Sequence, residues 1–323
     1  MLKKSIALLA VTIAGSTAYT QESSGKFETP EDKFLVKPYL EIPGLNLEFR
    51  SRLSTGKFVN WTPSYRAQTG LGVSYDGLIG VSASAKGELS REDEALKGRS
   101  EYQDFRFRFP WRRFSIEVGY QKLRGFFAEN TAEFAPGSTE YLKRPDLVLE
   151  SKYANVTVTL KPDRYSLAAA FDQSERQTSS GGSWLGTFNL VENVFEDTGQ
   201  VPLIPVGLQA YFPNEALVTK GRFLSVTAGG GYGHLWTFGE TWFAFSQILV
   251  GVGAQSGQSS DGTQDFSASE LAGNIKLDIG AGSNGKKYVS GILISTDQTS
   301  NQTTETELGK RNILVHLFFG FRI

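Results

Sequence analysis

His234 and His316 are the only imidazoles in 323 residues, and there is no cysteine. Without cysteine there is no thiol nucleophile, no thiolate metal site and no disulfide. A histidine beside a serine or carboxylate could drive acyl transfer. His234, however, stands between Tyr232 and Trp236 next to an expected turn, where an interfacial role is the simpler reading. His316 falls on the inner side of the last alternating segment and reads as a buried hydrogen-bonding residue. No serine neighbours either at local spacing, so no enzymatic activity is expected. A lipid-acting hydrolase whose groups meet across strands is the alternative. No histidine/carboxylate spacing suggests a metal, and no cofactor is expected. Gly229-Gly230-Gly231-x-Gly233 lies inside a strand-like segment, so it reads as room for close packing rather than as a phosphate loop.

The other chemistry is charge. Thirty-three basic and 34 acidic side chains nearly cancel, which suggests no nucleic-acid partner. Many charges alternate with apolar residues. Phe105, Phe107 and Phe109 interleave with Asp104, Arg106 and Arg108, and Leu45, Leu47 and Phe49 with Asn46, Glu48 and Arg50. A period of two places the two sets on opposite faces of a strand. If the apolar face meets lipid, a lumen is lined by Glu48, Arg50, Arg52, Arg66, Asp104, Arg106, Arg108, Glu117, Asp172, Arg176, Glu270, Lys276, Asp278 and His316. Such charges must be paired or hydrated. Both signs abound, so a self-neutralising network is expected in preference to an arginine ladder that selects anions.

Twelve segments carry the alternation: 44–55, 63–75, 78–89, 102–109, 114–124, 146–160, 165–177, 222–235, 241–254, 266–281, 287–297 and 306–323. Asp76-Gly77 and Asn284-Gly285 are hairpin signals. A shift of apolar phase between Leu149 and Val156 suggests a bulge near 152–154. The stretch 178–221 is irregular and reads as one long outer loop or plug that includes a short piece around Trp184. With it set aside, connections alternate short and long, as periplasmic turns and outer loops would. Trp111, Tyr165, Tyr232, Trp236, Trp242 and Tyr288 lie near the short turns, where an aromatic girdle is expected.

The chain ends ILVHLFFGFRI, with Ile313, Val315, Leu317, Phe319, Phe321 and Ile323 on one face. In a soluble sheet this would be an aggregation-prone edge; in a membrane barrel it closes the ring. Leu317, Phe319, Phe321 and Ile323 resemble the terminal insertion signal of outer-membrane proteins, with Ile323 where phenylalanine is usual. At the front, residues 1–18 read as a signal peptide, with Lys3 and Lys4, an apolar run 6–13, and Ser16-x-Ala18 for cleavage. Residues 19–43 read as a polar periplasmic tail, and 44–323 as the barrel. No other run approaches the length of a membrane helix. The expected fold is therefore all-β: a single antiparallel transmembrane β-barrel of about twelve strands in the bacterial outer membrane.

Four stretches, GLGVSYDGLIGVS (70–82), EYQDFRFRFPWRRFSIEVGYQKLRGFF (101–127), RPDLVLES (144–151) and AAFDQSERQTSSGGSWLG (169–186), resemble a bacterial outer-membrane family carrying the domain-of-unknown-function 4421 label. The resemblance runs from about Leu45 to the C-terminus and is most distinctive over 173–177 and 181–183. It implies an exported barrel and supplies no catalytic residues. It draws attention to Asp104, Arg124, Arg144, Asp146, Glu175 and Arg176, as charges that clamp one another in preference to a ligand. The expected partners are outer-membrane lipids, the barrel-insertion machinery and a small solute. The functional expectation is a narrow passive channel or a structural barrel, with an adhesin or receptor acting through its loops as a further alternative.

Overall fold

The protein is described by a computed structural model over residues 26–64, 67–75, 79–85, 91–111, 113–303 and 305–323. The expected signal peptide, Arg66 and the Asp76-Gly77 turn lie outside these residues. The strands are β1 (Phe27–Glu28), β2 (Phe34–Ser51), β3 (Phe58–Thr62), β4 (Gln68–Tyr75), β5 (Ile79–Ala85), β6 (Glu101–Pro110), β7 (Phe114–Ala128), β8 (Leu142–Thr159), β9 (Arg176–Gln177), β10 (Gly181–Asp197), β11 (Lys220–Phe238), β12 (Trp242–Ser260), β13 (Asp265–Asn284), β14 (Tyr288–Gln302) and β15 (Thr306–Arg322). Each of β4–β8 and β10–β15 pairs antiparallel with its neighbours, β2 pairs with β4, and β15 returns to β2. This closes a ring of twelve with no edge strand in the ring, which a barrel in lipid requires.

The number twelve is as expected, but its members differ. Residues 165–177 are not a wall strand: they hold a π-helical turn, Ala168–Asp172, and the two-residue β9, which pairs with β1. The Trp184 segment, expected inside an insertion, is the 17-residue wall strand β10. The single long insertion therefore becomes two, 160–180 and 198–219, at opposite ends of the barrel. Nor does the polar tail reach residue 43, because β2 begins at Phe34 and carries Lys37, Tyr39 and Glu41 into the ring.

Along each long strand the outer face changes character. At the end with the short turns it carries Phe34, Trp184, Tyr232, Trp236, Trp242 and Tyr288, all exposed. Tyr165, expected in this girdle, is instead fully buried. The apolar belt continues through rows such as Ile313 to Ile323 on β15. That span of eleven residues is about 25 Å tall at the usual strand tilt. Above it the outer wall turns ionic, with Lys122–Glu150 at 2.7 Å, Lys152–Glu192 at 3.7 Å and Lys220–Glu196 at 3.1 Å.

The inner face changes in the opposite sense. Level with the apolar belt it is polar, and level with the ionic band it is apolar. Leu45, Leu47, Phe49, Leu123, Leu147, Leu149, Phe195, Phe223 and Leu308 form one buried cluster. The phase shift on β8 is this inversion and not a bulge, since the pairing of 148–158 with β7 and β10 is unbroken there. The register shift lies instead on β7 between Arg124 and Phe126, around Gly125 at φ 85°.

Candidate functional site

The lumen is the candidate site, and its strands bring their inward rows together at one level. β5 and β6 pair Ser82 with Arg106 and Gly80 with Arg108. Small residues on β4 and β5 leave room for the long guanidinium groups opposite. Arg106 bonds both Asp104 and Glu41, the latter at 3.0 Å. Arg108 bonds Glu117 and reaches Asp172 at 3.1 Å. Lys276 stands 4.0 Å from Asp278, which also accepts from Gln247 at 3.2 Å. His316 Nδ1 lies 3.8 Å from Glu41, with its ring against Tyr39.

Eight expected lumen residues thus face the interior: Asp104, Arg106, Arg108, Glu117, Asp172, Lys276, Asp278 and His316. Glu270 also faces inward, near the loop end, where Arg52 meets it at 3.5 Å and so sits at the rim. Glu48 and Arg50 do not line the lumen. They alternate with the buried Leu47 and Phe49, so they pair with each other on the outer wall, above the apolar belt. Arg176 lies outside the lumen, bonded to Glu28 and donating to the Glu240 carbonyl at 3.0 Å. On the closing strand Leu317, Phe319, Phe321 and Ile323 face outward, 37–66% exposed.

Both ends of the lumen are occupied. At the turn end, residues 160–180 enter the barrel and pack Tyr165, Leu167, Ala169 and Ala170 against Leu185, Leu235, Phe243, Phe245 and Leu249. Gly233 admits Tyr165, because a Cβ there would lie 2.8 Å from its ring. Backbone contact explains Gly229 and Gly231, whose added Cβ atoms would meet the Val250 and Ile248 carbonyls. The insert is then held by polar contacts. Arg108 takes Asp172, Lys37 Nζ donates to the Asp172 carbonyl at 2.9 Å and Gln173 Oε1 at 3.1 Å, and Arg322 donates to the Gln173 carbonyl at 2.5 Å. Gln173 sits at φ 55°. Ser166 Oγ donates to Glu175 at 2.7 Å, and Gln177 Nε2 to the carbonyls of Arg164 and Ser179 at 3.0 and 2.8 Å. The most distinctive sequence motif is therefore the anchor of an internal segment.

At the loop end, residues 198–219 bring Leu203, Ile204, Leu208, Phe212 and Val218 into the upper apolar cluster. Trp61 Nε1 donates to the Leu203 carbonyl at 3.2 Å, and Arg144 to the Pro202 carbonyl at 2.9 Å. Buried Glu215 accepts from Thr303 Oγ1 at 2.7 Å and Thr306 Oγ1 at 2.5 Å. Arg124 and Asp146 pair at 2.7 Å at this same end, whereas Glu175 and Arg176 lie at the other.

Between the inserts is a polar cavity of about 160 Å³, lined among others by Arg106, Glu117, Tyr153, Asn189, Lys276 and Asp297. It has room for several waters or a small solute. Sequence reasoning missed Lys37, Glu41, Asp297 and Lys310. For the first two a signal existed: Val36, Leu40 and Ile42 alternate with Leu35, Lys37, Tyr39 and Glu41. His234 faces outward in a stack with Trp236, 4.6 Å between rings, and its ring nitrogen is 3.5 Å from the Tyr232 hydroxyl.

A family model described as Domain of unknown function (DUF4421) matches residues 27–322. No curated protein matches the chain. Among solved structures it is similar to the outer membrane protease OmpT from Escherichia coli, at 8% identity and TM-score 0.43 over 92% of this chain and 98% of that one. It is also similar to the P. putida toluene transporter TodX, at 10% identity and TM-score 0.29 over 90% of each chain. A third is Ail, the attachment invasion locus protein of Yersinia pestis, at 8% identity and TM-score 0.21 over 90% of this chain and 99% of that one.

Proposed function

Starting from a chain that belongs to the DUF4421 family, we propose an outer-membrane barrel that is closed at rest and opens into a narrow passage for small polar solutes. The observation that carries this reading is the polar cavity between two inserts, one at each mouth of the barrel. A purely structural barrel has no use for such a cavity, and an open pore would lack the inserts. The apolar outer belt and terminal strand support insertion among outer-membrane lipids by the barrel-insertion machinery, with the turn end toward the periplasm. The reading is non-enzymatic. His316 lies inside the lumen, away from lipid, and among the described residues neither histidine has a serine hydroxyl as hydrogen-bond partner.

Planar-bilayer conductance tests it. The wild-type barrel should be nearly silent. A variant with residues 198–219 replaced by Asn-Gly, and Asp172→Asn with Gln173→Ala to loosen the inner insert, should conduct in small steps. The shortened connection can close as a hairpin because Glu196 and Lys220 already face each other. A correctly inserted variant that carries no current would reduce the protein to a structural barrel, and a wild type with large steady conductance would remove the closed state.

A further inference from the structure

Most charges in the lumen are paired in contact, but two that line the cavity make no ion-pair contact among the described residues. Lys310 on β15 extends across the lumen to neutral groups, donating to Ser151 Oγ at 2.7 Å and Asn193 Oδ1 at 3.1 Å. Asp297 on β14 keeps a buried Oδ1 with no hydrogen-bond partner, and Lys276, which faces it across the sheet, is shared with Asp278 at 4.0 Å. The two are diagonal neighbours in the sheet, because Thr299 faces Lys310 and Asp297 faces Asn312. Higher on the same inward row of β14, Thr299 Oγ1 and Asn301 Nδ2 also lack partners. Asn301 is 1% exposed, and its Oδ1 is taken by Ser225 Oγ at 2.9 Å. Asp297, Thr299, Asn301 and Lys310 all line the cavity.

Opposite charges this close in a weakly hydrated space attract strongly, and leaving each unpaired is costly. Here the wall keeps them apart, since Lys310 is held by the hydroxyl and amide of β8 and β10. A solute that satisfies both must bring a cation to Asp297 and an anion to Lys310. The free amide donor of Asn301 lies on the Lys310 side and suits the same anion. Resting on the reading of the lumen as a solute chamber, we propose that it takes small zwitterions that carry an ammonium and a carboxylate. The ammonium sits at Asp297 and the carboxylate toward Lys310 and Asn301. A singly charged solute leaves one wall charge unmatched, and a neutral sugar leaves both.

The test is equilibrium dialysis of the full-length barrel against radiolabelled glycine, β-alanine, 4-aminobutyrate and 6-aminohexanoate, with acetate and ethylammonium as singly charged controls. Solute is added during refolding from urea into detergent, so that entry past the inserts does not limit binding. We expect at least one zwitterion to be retained tenfold or more above both controls, and the best chain length to report the gap between the two charges. Asp297→Asn and Lys310→Met, each checked for the folded gel mobility, should each erase that preference. Retention of no zwitterion, retention equal to the controls, or a preference that survives both variants would overturn the proposal. Dialysis reads binding and the bilayer reads passage. A barrel that conducts but retains none loses only the solute class, and one that retains a zwitterion but never conducts loses only the channel.

Discussion

Leu149 and Val156 stand on one unbroken strand and face opposite sides of the wall: Leu149 enters the upper core, and Val156 joins the outer belt beside Ile116 and Phe188. A regular strand sends residues an odd number apart to opposite faces. Both being apolar means that the dry side changes along β8. Near the turns the outer face is apolar and the charge is inside; near the loops the outer face is ionic and the inside is filled by residues 198–219.

The lipid boundary is testable on the closing strand. Leu317→Arg places a guanidinium in the belt and should cost about 2–4 kcal/mol near the bilayer midplane. His316→Arg, one residue away, turns inward toward Glu41 and should cost less. Urea unfolding of the barrel in lipid vesicles compares them. Equal costs would mean that the belt does not contact acyl chains.

The upper core makes the reverse prediction on β2. Phe49 is 4% exposed and packs edge-on against Phe195 at 5.2 Å. Phe49→Ala should destabilise by about 3–5 kcal/mol. Glu48→Ala removes only a half-buried pair with Arg50 on the outer wall and should cost below about 1 kcal/mol. If Glu48→Ala were the worse of the two, β2 would be turned the other way.

The inner insert should loosen when Arg108 is removed. Arg108→Ala strips Glu117 and Asp172 of a charge-assisted bond, each worth about 1.5–3 kcal/mol. The insert should then open roughly ten- to a hundredfold more often. Trypsin cleavage after Arg164, followed in vesicles with the turn end exposed, reads that population when closing outpaces cleavage. An unchanged cleavage rate would show that apolar packing alone holds the segment.

Gly125 should resist replacement. Its φ is 85°, and an added Cβ would lie 2.2 Å from the Arg99 carbonyl oxygen. Gly125→Ala therefore combines strain of about 1–3 kcal/mol with a backbone clash. Gly137→Ala, at φ 87° with open space around it, carries the strain alone. The two variants should lower the unfolding midpoint in that order.

The ring was legible wherever lipid outside and charge inside gave a strand contrast, as in Phe105 and Phe107 against Arg106 and Arg108. It misled where the same alternation served the upper core, so that Glu48 and Arg50 looked like lumen groups. Pro38 and Pro43 made β2 resemble a tail, although both are paired across the sheet, with Leu71 and Leu314. Residues 165–177 alternate convincingly, yet Leu167 and Ala169 are buried in a lumenal turn and not on the wall. Asp297 and Lys310 lie where the wall leaves the apolar belt. Gln298 and Arg311 beside them are polar as well, and no alternation remains to mark a face.

The short strand β3 alters the circumference. It joins β2 directly to β7 and so stands in for β4, β5 and β6 at the loop end, leaving ten strands around the mouth where twelve surround the middle. Barrel diameter grows roughly in proportion to strand number, and about eight strands is the size that side chains fill unaided. The mouth is therefore about a sixth narrower than the waist and closer to that self-filling limit. A taper of this kind explains why a single connection of modest length suffices to stopper the vessel, while the wider waist stays hollow.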